Sequence, residues 1–529
     1  MQTNKSVPSD DEVVSPTDKT ASLSNETISS ANNTVVSNAE RPSSTDGNIS
    51  SDDEIVSSPD DTISSSNEVA PTVEVVSIND EIITPTVEVP SVNDEAITPT
   101  IEATSVSDET TPHLEDAALA GEPQQTWHAF VEPWWKATLA ILPTFLITRF
   151  IFLLLAYFGG VLFFVKNYVT TVIPFHTILY RWDWWDAERF RTIATQGYLT
   201  PQYAAFFPLY PALVHAVTVV THRDALEVGM FVSNMAFLGM LIVLYRFVTV
   251  EFDKETAQRT VLYISIFPTA LFFFAGYNES LFLFLTLACF YTIRRGSWWL
   301  AGLFGMLAIL TRSSGIFLAL VFVCEYVRQN WSFLRETWQS KAFPRLVRPL
   351  VTQLSAVLLI PIGLGIYSYA LYRRFHDPLA FLHAQKDWRV GLTFPLYAPL
   401  ATLKKLFTLP LFTFVTPHNL IDLSAAVLFV ILLVLCFVGP EKIKLSQWTF
   451  PLFGLLILIT TMLYPTLPSR GGWYDPLAST QRLVLEAFVG FIILARFGRR
   501  PWFNQLYLLI SLPLLAFLTL QFMTGHWTV

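Results

Sequence analysis

Residues 138–160 read TLAILPTFLITRFIFLLLAYFGG, an almost wholly apolar run of 23 residues. A helix needs roughly 20 apolar residues to cross the hydrocarbon core of a bilayer, so this run is long enough to span a membrane. Comparable runs follow at 229–250, 257–276, 280–293, 298–311, 313–327, 350–372, 421–438, 449–464, 483–496 and 505–523. The sequence therefore predicts an all-α integral membrane bundle of about 11 spans.

Composition supports this class of protein and excludes a soluble enzyme. The 529 residues are 52% hydrophobic and 15% charged, which is too apolar for a soluble surface. Residues 1–126 hold 3 Lys and Arg against 25 Asp and Glu, whereas residues 127–529 hold 31 against 18. The chain thus divides into an acidic tail, 1–126, and a basic membrane domain, 127–529.

The tail is rich in Ser, Thr, Asp, Glu and Pro, and it cannot bury enough apolar area to offset the entropy of ordering its backbone. A 14-residue unit recurs in it: PTVE at 71–74 and 85–88, and PTIE at 99–102. We expect a disordered, solvated segment, with a partner-binding or phosphorylated segment as the alternative.

Charge in the short loops predicts the topology. With a cytoplasmic N-terminus, the cation-rich loops 246–259, 294–295, 328–348, 442–444 and 496–500 all fall on the cytoplasmic side. This requires that the apolar stretch 206–220, which contains Pro208 and Pro211, lies in the outer interface instead of crossing. Loops 161–228, 373–420 and 465–482 then lie outside, and the two termini lie on opposite sides.

The first outer loop carries a cluster of tryptophans and acids, YRWDWWDAERF at 180–190. Trp182 and Trp184 are expected to be interfacial anchors. The acids could pair with Arg181, Arg189 and Arg191. Alternatively, a carboxylate at the membrane boundary is partly desolvated, which suits it to general-base catalysis.

Several motifs in this region resemble those of the PIG-V family of GPI mannosyltransferases and its bacterial relatives. The specific one is WDAERF at 185–190 with Ile193-Ala194, Gly197-Tyr198 and AFFPLYP at 205–211. Weaker matches are FPTA at 267–270, GYNESLF at 276–282, LTRSSG at 310–315, and DPLAF at 377–381 with Ala384-Gln385 and Trp388. The resemblance covers residues 137–525.

This resemblance implies a GT-C-type glycosyltransferase fold with long extracytoplasmic loops, and a sugar donor linked to polyprenyl phosphate. Its catalytic acid falls on Asp186, with Asp183 as an additional acid. Glu279 is a further catalytic candidate, although Asn278 as N-cap with Glu279 in the first turn would also stabilise a helix start.

Substrate-binding candidates are the cations that could face the leaving phosphate and residues in or beside the motifs. Arg312, Arg482, Lys386 and Arg389 belong to the first group, with snorkelling at span ends as their alternative role. The second group is Arg181, Glu188, Arg189 and Gln385. Glu325 and Glu486 are expected to pair with cations inside the protein.

The resulting prediction is an integral membrane glycosyltransferase, with mannose as the favoured sugar. It moves the sugar with inversion from a polyprenyl-phosphate donor to a hydroxyl of a glycolipid or glycan on the extracytoplasmic side. We expect no cofactor, no metal and no nucleic-acid partner. The membrane is the plasma membrane in a bacterium or the endoplasmic reticulum in a eukaryote. The alternatives are a transporter or lipid flippase, and a non-catalytic scaffold.

Overall fold

The computed structural model describes residues 127–163, 172–468 and 474–526. Within these ranges the regular structure is helical, apart from one isolated antiparallel bridge between Arg389 and Thr466. The all-α membrane bundle predicted from the sequence is confirmed. The tail, 1–126, lies outside the described residues, so its disorder stays a prediction.

Nineteen α-helices make up the described part of the chain. The first nine are α1 (Trp127–Phe158), α2 (Phe175–Leu179), α3 (Asp186–Gln196), α4 (Leu209–Thr221), α5 (Ala225–Glu251), α6 (Lys254–Ser265), α7 (Glu279–Arg294), α8 (Trp298–Ile309) and α9 (Phe317–Gln329). The others are α10 (Trp331–Gln339), α11 (Pro344–Thr352), α12 (Leu359–Phe375), α13 (Ala380–His383), α14 (Tyr397–Thr408), α15 (Val415–Leu435), α16 (Thr449–Leu463), α17 (Thr480–Leu483), α18 (Phe488–Phe497) and α19 (Pro501–Met523).

Five helical stretches are long and apolar enough to cross a membrane by themselves: Pro133–Phe163, Ala225–Glu251, Leu354–Phe375, Val415–Leu435 and Pro501–Met523. Other predicted spans correspond to shorter apolar helices, among them α8, α16 and α18. Of these, α18 is mostly buried and contacts α6, whereas α8 packs against α7 and leaves Trp299, Leu300 and Leu303 exposed.

Aromatic rings from four helices pack together near the C-terminal ends of α5 and α7. Phe247, Phe290, Phe450 and Phe488 come from four helices and contact one another, with ring centroids 5.0–6.3 Å apart. Such contacts combine apolar burial with favourable edge-to-face geometry. This cluster packs α5, α7, α16 and α18 together at the end of α7 that lies opposite Glu279.

The predicted continuous span 257–276 is wrong, because α6 ends at Ser265 and α7 begins only at Glu279. Carbonyl groups released by a helix break inside a membrane protein need internal donors. Arg149 Nη1 donates to the Phe273 carbonyl at 3.0 Å, and Asn234 Nδ2 donates to the Phe274 carbonyl at 3.0 Å. These two side chains stabilise the irregular segment that leads to Glu279.

Loop 161–228, which we predict to be the first outer loop, contains helices α2, α3 and α4 among its described residues. The stretch expected to lie in the outer interface forms α4, which begins directly after Pro208 and has only 13 residues. The anchor role expected for Trp182 is wrong, because its side chain is fully buried against Phe152, Phe274 and Phe522. Trp182 therefore fastens the loop to the helical bundle.

Candidate active site

Asp186 is the first residue of α3 and follows an unusual backbone conformation. Trp185 has φ 59° and ψ −115°, a region that residues with a side chain rarely adopt. Holding such a conformation costs about 1–3 kcal/mol and is most often found at functional sites. The Tyr277 hydroxyl donates to the Trp184 carbonyl at 3.0 Å and so supports this turn.

Asp186 is joined to Glu279 through Arg482. Arg482 Nη2 lies 2.6 Å from Asp186 Oδ2, and Arg482 Nε lies 2.5 Å from Glu279 Oε1. The guanidinium also lies over the rings of Phe272 and Tyr277, 5.1 and 4.8 Å from their centroids. One arginine therefore connects the first outer loop with the start of α7.

A second arginine extends this network. Arg312 Nη1 lies 2.5 Å from Glu279 Oε1, and Arg312 Nε lies 2.8 Å from Glu486 Oε1. Ser314 donates to the other oxygen of Glu486 at 2.9 Å. The pairing with a cation predicted for Glu486 is thus confirmed, and neither Arg312 nor Arg482 is a snorkelling anchor. We call Asp186, Arg482, Glu279, Arg312 and Glu486 the outer network.

The helix cap expected at Asn278 is only partly correct. Asn278 occupies the N-cap position of α7 and Glu279 lies in the first turn, but the Asn278 side chain makes no capping bond. It accepts from Arg312 at 2.9 Å and donates to the Thr311 carbonyl at 2.8 Å. Its side chain therefore binds Thr311 and Arg312 and does not cap the start of α7.

The three acids of the outer network differ in accessibility. The Asp186 side chain is 27% exposed, whereas those of Glu279 and Glu486 are 1% and 2% exposed. A buried carboxylate between arginines stabilises the arrangement, and removing one partner of such a pair typically costs about 3–5 kcal/mol. A substrate in the outer loops can therefore reach Asp186 but not the other two acids.

Asp183 lies in a different environment from Asp186. Arg191 Nε lies 2.7 Å from Asp183 Oδ2, and the Asp183 side chain is 8% exposed. Burial raises the pKa of the Asp183 carboxyl, and Arg191 offsets part of this effect. The pairing of a loop acid with Arg191, one of the alternatives considered above, therefore applies to Asp183.

The structure does not bring the remaining candidates into the outer network. Arg181 and Gln385 are partly buried, and Glu188 and Lys386 are exposed. Arg189 is exposed and donates to the Tyr203 hydroxyl at 3.3 Å, and Arg389 donates to the Tyr464 carbonyl at 2.9 Å.

A second charged cluster lies at the C-terminal ends of α5, α7 and α9, whereas the outer network lies at the N-terminal end of α7. Arg294 Nε lies 2.7 Å from Glu251 Oε1, and Glu325 Oε2 lies 3.4 Å from Arg294 and 2.8 Å from Arg328. The internal pairing predicted for Glu325 is confirmed. We call these four residues the inner network.

Tyr277 and Ser314 are members of the site that the sequence did not identify. Both lie inside the quoted motifs: Tyr277 directly precedes Asn278, and Ser314 is two residues after Arg312. This proximity in the sequence was the available signal. Within the described residues, no three His, Cys, Asp or Glu side chains are grouped so that they could hold a metal ion.

Residues 161–438 match the family described as Mannosyltransferase (PIG-V). Among curated proteins, the chain is 28% identical over 226 residues to the mouse GPI alpha-1,6-mannosyltransferase 2, covering 39% of this chain and 45% of that protein. It is 32% identical over 151 residues to a GPI mannosyltransferase 2 of Cryptococcus neoformans, covering 26% of this chain and 36% of that protein. The chain thus matches less than half the length of these relatives.

Two solved membrane proteins show a weaker likeness. ArnT from Cupriavidus metallidurans, solved with undecaprenyl phosphate, has a TM-score of 0.40 at 13% identity, over 68% of this chain and 62% of that chain. The Archaeoglobus fulgidus oligosaccharyltransferase in its apo form has a TM-score of 0.36 at 12% identity, over 77% and 57%. Both TM-scores are too low to define a shared fold.

Proposed function

Because the chain belongs to the PIG-V mannosyltransferase family, we propose that it is a membrane mannosyltransferase. It moves a sugar from a polyprenyl-phosphate donor to a hydroxyl of a glycan or glycolipid on the extracytoplasmic side. The observation that carries the assignment is the outer network, in which one accessible carboxylate, Asp186, lies against a cation, Arg482. The motif resemblance described in the sequence analysis implies that the catalytic acid falls on Asp186, which supports this proposal.

Asp186 is the proposed general base. The acceptor hydroxyl attacks C1 of the donor sugar, its proton passes to the Asp186 carboxylate, and the bond between C1 and the phosphate oxygen breaks. The polyprenyl phosphate leaves as an anion, and the configuration at C1 inverts. A positioned base typically contributes about 10² to 10⁴ in rate to such a step.

Arg482 is the proposed cation for the leaving phosphate, because it is the arginine in direct contact with Asp186. A phosphate anion needs positive charge beside it more than it needs a proton donor. Glu279 is nearly inaccessible and contacts both Arg482 and Arg312, so we assign it as a positioning residue. This role replaces the catalytic one considered for Glu279 from the sequence.

A transporter or flippase and a scaffold are less well supported. Family membership favours catalysis. Both alternatives predict that the purified wild-type protein transfers no sugar, and the scaffold also predicts that the loop carboxylates are dispensable.

The test compares Asp186→Asn with the wild-type protein in single-turnover transfer from polyprenyl-phosphate mannose. The asparagine keeps the shape of the side chain but cannot accept the proton. We expect transfer to fall by about 100-fold or more while donor binding persists.

Asp183→Asn is the matched control, because it removes a nearby carboxylate that is already neutralised by Arg191. Its transfer rate per folded molecule should stay within about threefold of wild type. A well-folded Asp186→Asn protein with full activity would exclude Asp186 as the base and remove the main support for this function.

A further inference from the structure

A cavity of about 680 Å³ opens between the first and second outer loops. Arg189 of α3 lines one side of it, and Gln202, Tyr203 and Phe206 come from the turn that follows α3. Asp387 and Trp388, from the segment after α13, line it as well. We call this space the outer cavity. None of its lining residues takes part in the steps proposed for Asp186 and Arg482.

The outer cavity lies one helical turn along α3 from Asp186. Asp186 and Arg189 are three residues apart, so their Cβ atoms lie on the same face of the helix, roughly 5–6 Å from each other. Arg189 keeps this position through its hydrogen bond to the Tyr203 hydroxyl at 3.3 Å and through its contact with the Tyr203 ring, 5.4 Å from the centroid. Asp186 itself does not line the cavity, so an acceptor bound there must extend about one helical turn beyond it to reach the carboxylate.

The lining suits a sugar better than a polyprenyl chain. Tyr203, Phe206 and Trp388 offer aromatic rings against which the C–H face of a pyranose can pack. Arg189, Gln202 and Asp387 offer both donors and acceptors for ring hydroxyls. A hydrocarbon chain would leave these polar groups without partners, at a cost in free energy.

The walls of the cavity are held in place by the surrounding helices. The Tyr367 hydroxyl on α12 donates to the Ala204 carbonyl at 2.8 Å, and the Tyr198 hydroxyl donates to the Phe206 carbonyl at 2.7 Å. Phe206 in turn contacts the Trp388 ring, 6.3 Å between centroids. A site that is formed before binding pays less ordering entropy when its ligand enters.

Backbone hydrogen bonds connect the cavity wall with the segment that carries Arg482. Leu467 N donates to the Trp388 carbonyl at 2.8 Å, and Thr466 N donates to the Pro476 carbonyl at 3.2 Å. The segment 474–482 then continues to Arg482, which contacts Asp186. The cavity and the proposed base are thus tied to the same structural unit.

We infer that the outer cavity binds the sugar residue of the acceptor that presents its hydroxyl to Asp186, and that Trp388 and Arg189 determine its specificity. This inference rests on the proposed transferase function and adds the location of one substrate.

The test separates two reactions of one donor. Membranes are prepared from source cells that lack their own copy of the protein and express either wild type or a variant. Polyprenyl-phosphate mannose that is radioactive in its sugar is then added to these membranes. Free mannose reports hydrolysis by water, and label in extractable glycolipid reports transfer to the natural acceptor. We expect Trp388→Ala and Arg189→Met each to lower the ratio of transfer to hydrolysis by about tenfold or more, because a misplaced acceptor reacts slowly.

Trp338→Ala and Arg259→Met are the matched controls, since Trp338 on α10 and Arg259 on α6 do not line the cavity. Both should keep the wild-type ratio. An unchanged ratio in Trp388→Ala and Arg189→Met would overturn the inference, as would an equal loss of both reactions in folded protein, which would assign the cavity to the donor. If Trp388→Ala lowers the melting temperature, Arg189→Met decides, because the Arg189 side chain is exposed.

Failure of the proposed function gives a different result. Wild-type protein that performs neither reaction, or only hydrolysis, would contradict the transferase assignment itself and with it the acceptor site.

Discussion

At the residue scale, Arg482 is the side chain that links the proposed base to the interior of the protein. Its Nη2 and Nε atoms contact Asp186 and Glu279 at the same time. A planar guanidinium can make two such directed contacts, whereas a lysine ammonium is a single point charge on a flexible stem. The geometry of the site therefore depends on arginine at this position and not on positive charge alone.

We expect Arg482→Lys to lower the single-turnover transfer rate by about tenfold or more, because one of the two contacts is lost and Asp186 is displaced. Arg259→Lys is the control, since Arg259 pairs with Glu255 one turn away on the surface of α6 and such a pair contributes little. Transfer at the wild-type rate in Arg482→Lys would show that charge alone suffices.

Asp475 gives the segment before Arg482 a dependence on pH. Burial raises the pKa of Asp475 to about 6, and its carboxyl hydrogen-bonds with that of Asp422. Asp422 also accepts from Gln481 N at 2.8 Å, next to Arg482. Because the folded protein binds the Asp475 proton more tightly than the unfolded chain does, the stabilisation is complete below about pH 4 and is lost as pH rises through about 6.

We therefore expect the fall in melting temperature in detergent between about pH 4 and 6.5 to be smaller in Asp475→Asn, which is neutral at every pH, than in wild type. Glu336→Gln, at an exposed position on α10, should leave this fall unchanged. The same slope in Asp475→Asn as in wild type would assign the pH dependence to other groups.

At the element scale, the short turns that follow or precede helices place the site residues. Arg312 lies between the end of α8 and the 3₁₀ turn Ser313–Ile316. Gly315 in this turn packs against α8 so closely that a Cβ atom there would lie 2.5 Å from Ile309 N and 2.6 Å from Ile309 Cα. These neighbours are backbone atoms of α8, which can make room for a side chain only if the helix itself shifts. The turn therefore requires glycine.

Gly315→Ala should therefore shift the Arg312 turn, lower stability by about 1–3 kcal/mol and reduce transfer. Gly365→Ala on α12 is the control, because a Cβ atom at Gly365 would have no neighbour within 4 Å and alanine favours a helix. Melting temperature and transfer rate measured for both variants decide the matter. Wild-type values for Gly315→Ala would mean that the turn adapts without moving Arg312.

At the scale of the whole molecule, the two charged networks lie at opposite ends of the bundle. The outer network uses the start of α7 and the turn after α8, whereas the inner network uses the C-terminal ends of α5, α7 and α9. The loops predicted from charge to lie outside contribute only to the outer network. This segregation supports the predicted alternation of spans, including a first outer loop that contains α4.

Cysteine labelling tests that topology. In a background without Cys289, Cys324 and Cys436, single cysteines at Ser51, Thr221 and Thr528 are treated with a membrane-impermeant reagent in intact cells or sealed vesicles of known orientation. We expect labelling from the outer side at Thr221, which is exposed at the end of α4, and at Thr528, but not at Ser51. Labelling of Thr221 from the cytoplasmic side alone would show that α4 crosses the membrane.

The sequence by itself determined the membrane bundle and its apolar runs, because the transfer of a helix into lipid depends on the composition of one local stretch. It also contained the motif with Asp186, which is a short local pattern. It also indicated that Glu325 and Glu486 need partners. The break after α6 was missed in the sequence, although Pro268 within 257–276 is a helix-breaking residue. The donors for the carbonyls of this segment, Arg149 and Asn234, lie on other helices.

Only the tertiary structure decided how the candidate acids differ. Asp183, Asp186 and Glu279 all carry a carboxylate, and their roles depend on which arginine contacts each one. Asp183 contacts Arg191, and Asp186 contacts Arg482. Glu279 contacts both Arg312 and Arg482. Accessibility depends in the same way on distant segments that cover a side chain. Because burial and ion pairing arise from contacts between residues up to hundreds of positions apart, no local pattern could identify Asp186 as the acid that a substrate can reach.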